Sequence, residues 1–213
     1  MNHFARLGLH VLIIAAFCYF AYLMLLITIQ YLPANPDVAF LVTKDADIKT
    51  SFYLVAFFTH VYTSIFVLLF GFLQFSQWLR LRYRKVHKNI GKAYVGIVLV
   101  CAAPSGLVMG YFGNGGFYSQ ISFCMLAILW FYFTLTAFNK ARGGKFAAHR
   151  NYMILSYALT LSAISLRLFK WIIIQTIALP PMDTYRIVVW LGWLFNLFVA
   201  LLVIRRKGTH AKA

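Results

Sequence analysis

The chain contains no glutamate, and its acidic side chains are Asp37, Asp45, Asp47 and Asp183. None of these aspartates falls within an apolar run. Proton pumping through carboxylates and metal catalysis on carboxylate ligands both need an acid at depth in the membrane, so the sequence argues against both. Cysteine is nearly as scarce. Cys18, Cys101 and Cys124 each lie in an apolar stretch, their number is odd and no CxxC occurs. That pattern supports neither a disulfide framework nor a zinc site, and no metal is expected. Small buried packing residues account for all three. HExxH, GxSxG, the P-loop and GxGxxG are also missing, so no catalytic residue can be named from motifs.

What the chain has instead is oil. Of its 213 residues 62% are hydrophobic, and its mean hydropathy is +0.78. Apolar runs of about twenty residues recur, the length a bilayer-spanning helix needs. The expected fold is all-α: an integral membrane six-helix bundle forming a single domain over 1–213. The spans fall at about 7–32, 51–79, 93–112, 117–138, 151–179 and 185–204. Pro33 and Pro36 close the first span, and Pro180 and Pro181 close the fifth, because proline cannot continue a helix. The glycines of 113–116 and Gly143-Gly144 mark two further turns. The first run is too long for a signal-peptide core and lacks a cleavage site, so it is expected to stay as a helix.

Twenty lysines and arginines stand against the four acids, a formal charge of +16. Their positions point to topology rather than to nucleic acid, which is not an expected partner. Arg6, the cations from Arg80 to Lys92, those from Lys140 to Arg150, and those of the tail all fall on one side of a six-span arrangement. All four aspartates fall on the other. The positive-inside rule then puts both termini in the cytoplasm. Arg80, Arg82, Arg84, Lys85 and Arg150 are assigned to topology and to lipid headgroups, the bilayer being the first partner. Tyr111, Phe117, Tyr118 and Tyr185 are expected at the outer interface, and Trp78 and Tyr83 at the inner one.

Ionisable groups inside hydrocarbon are functional candidates, because burying one costs several kcal/mol unless it finds a partner. His60 in the second span and Arg167 in the fifth fall at similar depth, at about 1.5 Å of rise per residue. They are expected to line one cavity. Lys170, one turn further out, is expected to snorkel to the interface. Helical phase puts His60, Ser64, Val67, Gly71, Gln74 and Trp78 on one face of the second span. His149, Met153, Ser156, Thr160, Ala163 and Arg167 share a face of the fifth. Facing each other, these seams would make a polar interior from His60 and Arg167 to Gln74, with helix packing the competing explanation for the small residues. Pro104-Ser105-Gly106 interrupts the third span, where a freed carbonyl can line a cavity. The candidate ligand-binding set is therefore His60, Gln74, Ser105 and Arg167. His87 and His149, among basic residues on the inner rim, are the candidate axial pair for a single haem.

The residues His60, Leu73-Gln74 with Arg80, His87 to Gly91, Tyr94, Ala103 to Gly106, Gly115-Gly116, His149-Arg150, Met153, Ser156 to Leu159 and Leu166-Arg167 together carry a resemblance. In that order they resemble the bacterial multi-pass family catalogued as domain of unknown function 2306. Lys88 and Tyr152 are mild departures from its pattern. The resemblance implies a bacterial cytoplasmic (inner) membrane protein and no particular activity. More distantly, the order His60, Gln74, Arg80, His87, Gly91 is similar to transmembrane cytochrome b proteins, which implies a redox role with haem b or quinone as cofactor. The leading expectation is thus an intramembrane site for a quinone or haem, linked to membrane redox chemistry. A non-catalytic accessory subunit of a larger membrane complex is the first alternative. A small transporter is the second, and the lack of internal repeats weighs against it.

Overall fold

A computed structural model describes residues 3–44, 49–177 and 179–210. Asp45 and Asp47 lie outside the described residues, as do the side chains of Arg6 and Lys207 and the whole of Lys212. The described chain is helical: α1 (His3–Ile29), α2 (Ser51–Gln74), α3 (Gln77–Arg82), α4 (Arg84–Ile97), α5 (Ala103–Tyr111), α6 (Phe117–Arg142), α7 (Phe146–Thr160), α8 (Ser162–Thr176) and α9 (Pro181–His210). A π-helical turn, Val98–Ala102, joins α4 to α5 without a break, and a short 3₁₀ turn, Ala39–Thr43, lies between α1 and α2. Five segments are long and apolar enough to cross a membrane, and α7 with α8 makes a sixth that bends by 43°. The all-helical membrane fold is thereby established.

Of the boundaries that differ from the sequence expectation, two have a local reason in single residues. The second span stops at Gln74 rather than near Leu79, because Ser76 turns extended and caps the next helix, its Oγ accepting from Leu79 N at 3.2 Å. The third begins at Arg84, nine residues early, so the basic residues 84–92 form its first turns. At the other ends, Thr50 caps α2 by accepting from Tyr53 N. Gly115 and Gly116 take φ of 90° and 81° between α5 and α6, a left-handed turn that glycine adopts without penalty.

The helices pack as neighbours in chain order for α2 to α7, with α9 closing on α6, α7 and α8. Close approaches occur where side chains vanish. A Cβ on Gly110 would come within 3.1 Å of Cys124 N, and one on Gly192 within 3.1 Å of Leu166 N. Small residues at such points let membrane helices gain dispersion contact. At the core, Tyr94 and Tyr157 are buried beside Gly71. Tyr94 Oη meets Ser156 Oγ at 2.8 Å and Thr160 Oγ1 at 3.0 Å, Thr134 Oγ1 meets Ser156 Oγ at 2.7 Å, and Tyr157 Oη donates to Leu68 O. The polar face of α7 therefore serves packing at Ser156, where hydroxyls satisfy each other in the interior.

The helix α1 stands apart. In its apolar window 6% of residues are buried, against 28–39% in the other four unbent spans. It leans on α2, with Phe17 stacked on Phe72.

Candidate functional site

The bend between α7 and α8 shapes the site. Asn196 of α9 holds both arms of it: Nδ2 donates to Ala158 O at 3.1 Å, and Oδ1 accepts from Ser165 Oγ at 2.9 Å. The bend swings α8 against α9, while α1 and α2 lie on the far side. Between them is a cavity of about 450 Å³ whose walls come from α1, α2, α5, α6, α7, α8 and α9. That is within the range of small-molecule pockets, roughly 300–1,000 Å³. Its surface is mainly apolar, with Met24, Leu68, Met109, Trp130 and Trp193 among the contributors.

His60 and Arg167 both line this cavity. The structure thus brings together the two residues that burial cost alone had singled out. His60 is oriented from behind: Nδ1 donates to Ala102 O at 2.8 Å. That carbonyl belongs to the π-helical turn ahead of Pro104, a distortion often found at functional sites. Ser105 does not line the cavity; its Oγ donates to Cys101 O at 2.6 Å and lies 3.4 Å from His60 Nδ1. Gly106 admits the ring, since a Cβ there would meet His60 Cε1 at 3.0 Å. The hydrogen bond at Nδ1 fixes the tautomer and leaves Nε2 as an acceptor with no partner among the described residues.

Arg167 donates from Nη1 to Ala163 O at 2.8 Å, within its own helix. It has no ion pair among the described residues, where the acids Asp37 and Asp183 pair with Lys49 and Arg186. Two lining residues escaped the sequence reading. Lys170, expected to snorkel away, lines the cavity, and so does Tyr185, expected in an interfacial belt. The signal for Lys170 was its spacing of three from Arg167, which puts both on one face. Ser64 Oγ, also on the wall, is buried without a hydrogen-bond partner among the described residues.

Gln74 does not belong to this site. It sits at the basic end, where its amide, in the orientation that satisfies its neighbours, accepts from Gly91 N at 3.2 Å and donates to His87 O at 3.3 Å. The seam expected from His60 to Trp78 is cut by the break at Ser76, and Trp78 is exposed. His87 and His149 lie outside the cavity as well. His149 Nδ1 donates to Ala137 O at 2.9 Å, leaving Nε2 free to ligate. In the same orientation of the Gln74 amide, its nitrogen lies 3.2 Å from His87 Nδ1. No group of three or more potential metal ligands occurs among the described residues.

At the end holding Asp37 and Asp183, the 3₁₀ turn sits over the cavity and contributes Phe40 to its wall. It is tied down by Tyr31, whose Oη accepts from Phe40 N, and by buried Lys44, which donates to Phe112 O and Asn114 Oδ1.

No curated protein and no solved structure matches the chain. A family model described as "Predicted membrane protein (DUF2306)" matches residues 57–204, which takes in every helix lining the cavity except α1. The match covers more than half of the sequence, so the chain belongs to the DUF2306 family of predicted membrane proteins.

Proposed function

We propose that the protein holds a small amphipathic molecule within the bilayer, and that a quinone linked to membrane redox chemistry is the ligand class to test first. The observation that carries the reading is the shared cavity: His60 Nε2 and Arg167, the one unpartnered and the other without an ion pair among the described residues, line one largely apolar space. A quinol hydroxyl would donate to His60 Nε2, and a quinone carbonyl would accept from Arg167. His60 would serve as hydrogen-bond partner and proton relay. Proposed with it are a bacterial cytoplasmic membrane as the location and a cytoplasmic basic end. Haem is the less favoured occupant, because the cavity holds one histidine and the other candidate pair lies elsewhere.

The test is solvent extraction of protein purified in mild detergent, with bound quinone quantified against protein. Wild type should retain quinone near one per chain, and His60→Ala and Arg167→Ala should each lose most of it. Retention unchanged in both variants refutes the site. A visible spectrum of the same sample checks haem, whose Soret band would replace the quinone reading.

The accessory-subunit reading rests on one observation, the poor burial of α1. Co-purification of a fixed partner that is lost on deleting residues 1–32 would favour it.

A further inference from the structure

The cavity's charge is one-sided. Arg167 and Lys170 both line it, one helical turn apart on α8, and among the described residues no aspartate does. The described acids are engaged elsewhere, by Lys49 and Arg186 at 3.3 Å each. Among the described residues neither cation has a counter-charge, and Arg167 spends one N–H on Ala163 O. The Tyr185 hydroxyl, on the same wall, makes no hydrogen bond among the described residues and adds a neutral donor. A planar guanidinium, an ammonium and a phenol make a donor set suited to several anionic oxygens at once. Met24, Leu68, Met109 and Trp130 line the same cavity, a surface for a hydrocarbon chain.

We propose that the polar end of the ligand bears a full negative charge, a carboxylate or phosphate on an apolar chain, received jointly by Arg167 and Lys170. The inference rests on the reading that the cavity binds an amphipathic molecule, and it sets an anion in place of the neutral quinone as the occupant. A neutral quinone would satisfy His60 and part of Arg167 but bring Lys170 no counter-charge.

The experiment uses the full chain in phosphatidylcholine nanodiscs and three diazirine-bearing probes of equal chain length: a fatty acid, the matching fatty alcohol and a phosphatidate. Labelled peptides are located by mass spectrometry. The fatty acid or the phosphatidate should label cavity residues such as Met24 and Met109 about tenfold more than the alcohol, the effect of one useful charge contact. Which of the two labels better tells a free anion from a membrane lipid. Lys170→Gln should cut that anionic labelling about tenfold without changing the alcohol's, and Lys170→Arg should restore it. Monodispersity on size exclusion confirms that each variant is folded. Equal cavity labelling by alcohol and anions, unmoved by Lys170→Gln, overturns the anion proposal and leaves amphipath binding standing. No cavity labelling by any probe overturns both.

Discussion

Gly71→Ala should be among the most damaging single-methyl additions the bundle can suffer. A Cβ at Gly71 would overlap Tyr157 Cδ2 and Cε2 and approach Tyr94 Cε2 to 2.9 Å. Both rings are rigid and buried, at 6% and 0% exposure, so neither has solvent to move into. Overpacking of this kind costs about 1–3 kcal/mol. Shifting Tyr157 also strains its hydrogen bond to Leu68 O, worth about 1 kcal/mol. The gain in helix propensity from glycine to alanine returns about 1 kcal/mol. The net is roughly 2 kcal/mol of destabilisation, or about 4–8 °C in melting temperature for a domain of this size. Fluorescence-detected size exclusion after a heating series measures it. Gly96→Ala is the control, since nothing lies within 4 Å of a Cβ there. Tyr157→Phe should not rescue Gly71→Ala, because ring carbons make the overlap. A Gly71→Ala melt equal to the control's would refute the packing described for α2 against α4 and α7.

Gln74→Ala should lower stability by about 1–2 kcal/mol through the lost contacts to His87 and Gly91, and should leave extracted ligand unchanged. Loss of ligand in that variant would return Gln74 to the site. Asn196→Ala removes the partner of Ala158 O and Ser165 Oγ across the bend, for about 1–3 kcal/mol. Because the bend places Arg167, ligand retention should fall with the melting temperature, and retention at wild-type level would separate the bend from the site.

Much of the fold was legible because the bilayer constrains it so tightly. A chain in hydrocarbon must satisfy its backbone within helices, so apolar length alone locates the spans. Two of the boundaries that moved did so through single residues, Ser76 acting as a cap and Arg84 opening a helix that apolarity places later. Half of the ligand-binding set lines the cavity: His60 and Arg167 do, Ser105 supports His60 from behind, and Gln74 lies outside it, against His87 and Gly91. Gln74 was misplaced because helical phase says which residues share a face but not how far a face stays covered by the same neighbour. Lys170 and Tyr185 were missed because a cation or a tyrosine near a helix end matches an interfacial anchor in sequence. Whether it turns inward depends on the tilt of its helix.

Composition and periodicity determined by themselves that this is a helical membrane protein, and that His60 and Arg167 are costly enough at depth to need a reason. Only the packed structure decided what surrounds them. The 43° bend held by Asn196, the π-helical turn whose carbonyl orients His60, and the cavity shared with Lys170 all arise from contacts between helices distant in the chain. Local periodicity carries no record of such contacts, since each helix would form from its own apolar run whichever neighbour it met.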